Sequence, residues 1–265
     1  MKLEGSTILV TGASSGIGAA LAPQLAAKGA TVGIVARRAE RLEEVVAQCR
    51  EHTPASTFWA ADLGDVDRAV SVALDAWDHF GGLEALVNNA AIGKRKLVQT
   101  LTPEDLDVTM RTNFLSPIRM GMALLPKWLE RGAGLVVNVS SMGGRLGILH
   151  EAAYSASKFA MCGWSESMRM DLEGTGVKVK LVLPGPIETE IWEVQPGELP
   201  GLYDGPFVSA ADCAADIVAA MEDDGFEYYT PETVPGGWQQ KDLVVGKTQS
   251  CDDFLTGMAQ MDAKS

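Results

Sequence analysis

Short β-branched runs alternate with longer helical patterns along most of this 265-residue chain, and that alternation constrains the fold more than any other feature. Strands are expected at 7–10, 31–36, 56–60, 85–87, 135–139, 177–183 and, more weakly, 226–229. Helices are expected between them, at 16–28, 39–51, 65–79, 103–130, 151–174 and 210–222. The strand runs are almost continuously apolar, the pattern of strands buried on both faces. A β-then-α order built from such strands gives a parallel sheet covered by helices on both sides. No linker-like composition shift and no internal repeat interrupts it. A single α/β domain over 1–265, with a doubly wound parallel sheet, is expected.

Composition narrows the function classes. Hydrophobic residues make up 46% and charged residues 22%, which suits a chain with a large core. A formal net charge of −13 disfavours nucleic acid and anionic membrane surfaces as partners. Any anionic ligand therefore needs local donors. Cys49, Cys162, Cys213 and Cys251 are scattered without C-x-x-C spacing, so reduced thiols are expected and a zinc site is not. Met1–Gly5 carries no apolar leader, and no run of about 18 uncharged apolar residues appears. A cytoplasmic location is the expectation.

Two motifs carry chemistry. The first β–α junction reads Thr11-Gly12-Ala13-Ser14-Ser15-Gly16-Ile17-Gly18. Glycines that follow a strand and open a helix let backbone approach a pyrophosphate, and the helix start adds amide donors and a favourable dipole. Far downstream, Tyr154-Ser155-Ala156-Ser157-Lys158 lies in an expected helix, where residues four apart share a face. A free tyrosine ionises near about 10, and a neighbouring lysine would pull it down toward the range useful for acid–base work.

The G-x-x-x-G-x-G spacing, together with Tyr154 and Lys158, resembles the classical short-chain dehydrogenase/reductase family. The resemblance runs from residue 5 to about 230 and implies a Rossmann-like fold. It implies that Gly12, Ser14, Ser15, Gly16, Ile17 and Gly18 hold the dinucleotide, and that Tyr154 and Lys158 contact it as well as acting in catalysis. Ser141 precedes Tyr154 by 13 residues, the family's spacing for a serine that orients the substrate oxygen. Gly143 and Trp192 are its expected neighbours in the substrate pocket. Asn113 matches a residue that relays protons to the lysine through a water on its backbone carbonyl; a plain structural bond to a neighbouring segment is the alternative. Leu183-Pro184-Gly185-Pro186-Ile187-Glu188-Thr189 matches the family's P-G-x-x-x-T, which places Pro184, Gly185, Ile187 and Thr189 at the nicotinamide.

The end of the second strand discriminates between cofactors. An acid there would select the ribose of NAD(H), whereas this chain has Ala36-Arg37-Arg38, and arginine suits the 2′-phosphate of NADP(H). Arg37 is the expected phosphate ligand, or else a helix-start arginine paired with Glu40 or Glu43. Arg38 would stack on the adenine or face solvent. The glycine turn departs from many NADP-dependent relatives in having Ser14 and Ser15 where a second basic residue stands. The resemblance implies that Asp62 and Leu63 meet the adenine, although Asp62 or Asp65 could instead cap the next helix. In Asn88-Asn89-Ala90-Ala91, Asn88 would brace the sheet while Asn89 and Ala90 lie by the ribose.

Residues 190–207 combine turn residues with Trp192, Leu202, Tyr203 and Phe207. They read as a lid over a hydrophobic substrate, or as apolar groups packed on helix 210–222 or on another subunit. The tail, 231–265, departs from the family; a short helix at 252–261 and a role in subunit packing are expected. The function expected is an NADP(H)-dependent oxidoreductase, a homodimer or homotetramer, acting on a bulky secondary alcohol or ketone. An acyl-carrier ketoreductase and a non-catalytic cofactor sensor are the alternatives. The former would want a basic docking surface, and the latter would have little need of Ser141, Tyr154 and Lys158 together.

Overall fold

The structure is a computed structural model, which describes residues 1–234, 237, 239–253, 255 and 256. Seven strands form one parallel sheet in the order β3-β2-β1-β4-β5-β6-β7. They are β1 (Thr7–Thr11), β2 (Thr31–Ala36), β3 (Thr57–Ala60), β4 (Ala85–Asn88), β5 (Gly134–Val139), β6 (Val177–Pro184) and β7 (Glu227–Thr230). Each expected strand is present within one or two residues of its expected limits. The order reverses direction between β1 and β4, where Ile8 pairs with Ala85 and Val10 with Val87. At such a switch point the loops from the two halves of the sheet diverge and leave a crevice beyond the strand ends.

Alternate residues along each strand feed two cores. Ile8 and Val10 of β1 face α1 (Gly16–Ala27), α2 (Ala39–Arg50) and α7 (Ala210–Glu222), where Leu21, Leu25, Leu42, Val46 and Ile217 are buried. Leu9, between them, faces α3 (Val66–Phe80), α5 (Ser116–Arg131) and α6 (Ala152–Asp171), against Val72, Leu124, Trp128 and Met168. Burying a side chain of this size is worth about 1.5–3 kcal/mol, so both faces of the sheet hold their helices firmly. Helix ends follow local chemistry. Asp65 accepts the N–H groups of Asp67 and Arg68 at the start of α3, and Gly81 ends that helix at φ 72°.

The expected helix 103–130 is broken. It comprises α4 (Pro103–Met110), a π turn over Arg111–Leu115, and α5. Pro117 has no N–H to offer the Asn113 carbonyl four residues back. The Ser116 N–H reaches instead to the Arg111 carbonyl. Such turns recur at functional sites, and this one places Asn113 beneath the crevice.

The tail also differs from expectation. A helix not anticipated from the sequence, α8 (Gln240–Gln249), folds back on its own chain. Fully buried Gln240 donates to the Pro231 carbonyl at 2.6 Å, and Lys247 reaches the Arg145 carbonyl at 3.0 Å. The expected helix 252–261 lies largely outside the described residues. No described helix is long and apolar enough to cross a membrane.

Candidate active site

A cavity of about 1040 Å³ opens along the carboxyl edge of the sheet. Of the site residues singled out from the sequence, all except Gly18 and Asn113 line it. One end is the glycine turn. Gly12 adopts φ 71°, and a Cβ there would stand 2.6 Å from the Ala90 Cα; one on Gly18 would stand 2.5 Å from the Gly12 carbonyl. Only glycine fits either place, and the backbone is left bare toward the cavity. Thr11 fixes the turn: its Oγ1 accepts the N–H groups of Asn89 (2.9 Å) and Ala90 (3.0 Å). The Asn89 amide donates to the Thr11 carbonyl at 2.9 Å, so it braces the turn as well as lining the cavity. Asn88 donates to Asn138 at 2.8 Å and Asn138 to Ser165 at 2.9 Å, tying β4 and β5 to α6.

Ser15 opens α1 without a side-chain cap. The first amides of the helix therefore remain available to an anion, and this turn fits a dinucleotide pyrophosphate. Arg37 and Arg38 lie at the same end with Asp62 and Leu63. Asp65, not Asp62, caps α3; Asp62 accepts the N–H of Gly64 at 2.9 Å and stays in the cavity wall. Arg37 is exposed and makes no ion pair among the described residues, neither with Glu40 nor with Glu43. Arg38, expected to be the lesser residue, donates to Ser14 Oγ at 3.2 Å and Ser15 Oγ at 2.8 Å.

At the other end stand Ser141, Tyr154 and Lys158. Ser141 begins a tight turn after β5, and its Oγ accepts the Gly143 N–H at 3.0 Å. A Cβ on Gly143 would press on the Tyr154 ring at 3.1 Å, so this glycine sets the space beside the phenol. Tyr154 and Lys158 lie one turn apart on α6. The Lys158 ammonium lies 5.7 Å from the Tyr154 ring centroid and donates to the Val139 carbonyl at 2.9 Å. Burial lowers the Lys158 pKa to about 8. The Tyr154 phenol moves opposite to expectation, well above its ordinary value: burial raises it, and the hydrogen bond with Ser141 offsets only part of that rise. Desolvation is the largest influence on the phenol, ahead of any neighbouring charge.

Asn113 does not reach the cavity. Its amide is spent on both backbone groups of Ile92 (2.8 and 2.9 Å) and on Ser157 Oγ (3.1 Å). Ser157 in turn donates to the Tyr154 carbonyl at 2.7 Å. The side chain thus anchors α6 from below, while its backbone carbonyl lacks the usual i+4 donor because Pro117 has no N–H.

Ile187, Thr189 and Trp192 bring β6 and the following loop to the cavity. Trp192 donates from Nε1 to the Ile187 carbonyl at 2.8 Å, and its ring meets Phe207 at 5.0 Å and Tyr203 at 6.3 Å between centroids. The loop's large side chains pack mainly on one another. Sequence reasoning missed what pins this loop. Arg95, buried, donates to Glu151 at 2.9 Å and to the Ile191 carbonyl at 2.7 Å, and lies 5.1 Å over the Trp192 ring. Lys94 pairs with Glu198 at 2.8 Å. The basic run Lys94-Arg95-Lys96 was the available signal. Leu243 of α8 completes the wall.

Comparison with known proteins places this geometry. Residues 6–198 match the family described as short chain dehydrogenase. The chain belongs to the short-chain dehydrogenase family. An uncharacterized oxidoreductase of Bacillus subtilis, YxnA, is 37% identical over 71% of this chain and 54% of its own length. The 11-beta-hydroxysteroid dehydrogenase 1A of Arabidopsis thaliana is 37% identical over 82% of this chain and 66% of its own. This short-chain dehydrogenase thus spans roughly half to two-thirds of the length of those curated relatives. Among solved structures, a short-chain dehydrogenase from Streptomyces avermitilis superposes with a TM-score of 0.80 at 30% identity, covering 98% of both chains. One from Burkholderia cenocepacia, in complex with NADP, gives 0.79 at 26% identity, covering 97% of this chain and 99% of that one.

Proposed function

We propose that this short-chain dehydrogenase is an NADP(H)-dependent oxidoreductase that interconverts a secondary alcohol and a ketone. The observation that carries the reading is the convergence of the Ser141 and Tyr154 side chains with Lys158 in the same cavity as the glycine turn. The glycine turn and the β6 end would hold a nicotinamide dinucleotide, which would supply hydride to the carbonyl carbon or take it up in reverse. In the reducing direction Tyr154 gives its proton to the carbonyl oxygen, and burial keeps the phenol in that donor form at neutral pH. Ser141 holds the same oxygen, fixing it against the phenol. The Lys158 ammonium, one helical turn away, offsets the phenolate that remains. Asn113 positions the helix through Ser157.

Preference for the phosphorylated cofactor is supported by Arg37 and Arg38 at the cavity rim, where no acid follows β2. The NADP-bound neighbour agrees. A bulky hydrophobic substrate is supported by Met142, Leu146, Ile148, Trp192 and Leu202 in the wall, and by a relative named for a hydroxysteroid. Self-association into a homodimer or homotetramer is supported by exposed Leu115, Met122 and Leu129, each seven residues from the next, and by exposed Phe159 and Met170 on α6. Light scattering tests that point. The activity is tested with a panel of alicyclic, aromatic and small ketones, following consumption of NADPH and NADH in parallel. Turnover of a bulky ketone with a higher kcat/KM for NADPH is expected. Equal use of both cofactors would overturn the cofactor choice, and no turnover in either direction would overturn the oxidoreductase reading.

A further inference from the structure

Glu190 opens the single turn Glu190–Trp192 that follows Thr189, at the start of the apolar loop. Its carboxylate reaches back across the cavity rim. Oε2 lies 2.8 Å from Arg38 Nη2, and Oε1 pairs with Arg41 of α2. Arg38 Nη2 also donates to Ser14 and Ser15 of the glycine turn. Two guanidinium groups and the Ser15 hydroxyl therefore converge on one anion. Their bonds, that from Arg38 first, hold the Glu190 carboxyl below its ordinary range. On the outer side the same carboxylate borders a second hollow of about 540 Å³, with Arg41, Glu44 and Thr189.

The donor set is of the kind that binds a phosphate monoester: a planar fork and hydroxyls within one hydrogen-bond radius. Arg38 Nη2 is already shared among three acceptors, and a doubly charged phosphate beside a carboxylate is repelled. Both groups cannot occupy these donors together. Building on the cofactor reading above, we propose that Glu190 is an internal surrogate anion: its carboxylate fills the Arg38–Arg41–Ser15 site in the free protein and must give way to the 2′-phosphate of the dinucleotide. Glu190 thereby weakens binding of the phosphorylated cofactor and leaves the unphosphorylated one nearly untouched. It is a specificity-determining residue that acts by subtraction. The pairs are partly exposed (Arg38 43%, Glu190 31%), so the effect is several-fold rather than thousandfold.

Calorimetric titration of the cofactor-free protein with adenosine 2′,5′-bisphosphate and with 5′-AMP separates the possibilities without any turnover. Glu190→Gln keeps length and acceptor oxygen but removes the charge. It is expected to bind the bisphosphate about three- to tenfold more tightly, with 5′-AMP changed less than about twofold. Glu44→Gln alters net charge equally from the neighbouring hollow and is expected to leave both affinities near wild type. An unchanged or weaker bisphosphate affinity in Glu190→Gln overturns the proposal, as does an equal gain in Glu44→Gln. The wild-type protein judges the cofactor reading separately. If it prefers the bisphosphate and Glu190→Gln adds nothing, only the surrogate fails. If it shows no preference but the variant gains one, NADP(H) selectivity falls and the surrogate stands.

Discussion

Arg95 and Glu151 form a buried ion pair, Nε to Oε1 at 2.9 Å, three residues ahead of Tyr154. The same guanidinium bonds the Ile191 carbonyl and covers the Trp192 ring. One side chain thus joins the start of α6 to the loop over the cavity. Removing one member of a buried pair costs about 3–5 kcal/mol, because the other charge stays behind without compensation. Burial already raises the Glu151 carboxyl above its ordinary value, so some of that cost is relieved by protonation. Arg95→Met is expected to lower Tm by roughly 5–15 °C. The double variant Arg95→Met, Glu151→Met should recover most of the loss. A single variant that melts like wild type would show that the pair holds nothing together.

Tyr154→Phe should lower kcat by at least about 10²-fold, the low end for a general acid–base group, with cofactor affinity close to wild type by fluorescence titration. The phenol itself can be watched. Because burial raises its pKa, the difference spectrum between cofactor-free wild type and Tyr154→Phe should show no phenolate signal up to pH 10. A phenolate band at pH 8 would mean that Lys158 controls the ionisation, as the sequence suggested.

Lys158 carries a stability cost with a defined pH window. Its pKa falls from 10.5 to about 8 on folding because the ammonium is desolvated. Between those values the unfolded chain binds the proton and the folded chain does not, so stability rises with pH across the window. Below pH 8 the penalty is present in full, of order 3 kcal/mol. Lys158→Met should abolish turnover yet melt no lower than wild type at pH 7, and the wild-type disadvantage should shrink between pH 8 and 10. A variant that melts several degrees lower at pH 7 would show that the bond to Val139 outweighs the buried charge.

What could be read from the chain and what could not divide along physical lines. The sheet was legible because its strands are apolar runs, a local property, and the glycine turn because Gly12 and Gly18 have no sterically allowed substitute. The meeting of Ser141, Tyr154 and Lys158 in one cavity was legible through their spacing. The π turn was not, since a missing N–H at Pro117 acts on a carbonyl four residues back inside an otherwise regular helical pattern. The fate of Arg38 was hidden because its partner, Glu190, is 152 positions away. The direction of the Tyr154 shift was misread because burial belongs to the folded protein, whereas the neighbouring lysine is visible in the string of letters. Helix α8 escaped notice because Gln240–Gln249 is polar, with only Gln240 buried.

Trp192 tests whether the loop governs what the cavity accepts. Its ring lines the cavity while packing on Tyr203, Phe207 and the Arg95 guanidinium. Gly201 passes so close that a Cβ there would stand 2.8 Å from the indole. These neighbours belong to the loop and its anchor, not to either of the two cores beside the sheet. Trp192→Ala should therefore loosen the loop without unfolding the sheet. Proteolysis within 190–207 should quicken, and Tm should stay within a few degrees of wild type. Burying an aromatic ring against the substrate is worth roughly 1.5–3 kcal/mol, so KM for a bulky alicyclic or aromatic ketone should rise at least about tenfold, and that for a small ketone far less. If small and bulky ketones suffer alike while Tm drops steeply, the indole is a structural prop and substrate size is set elsewhere in the wall.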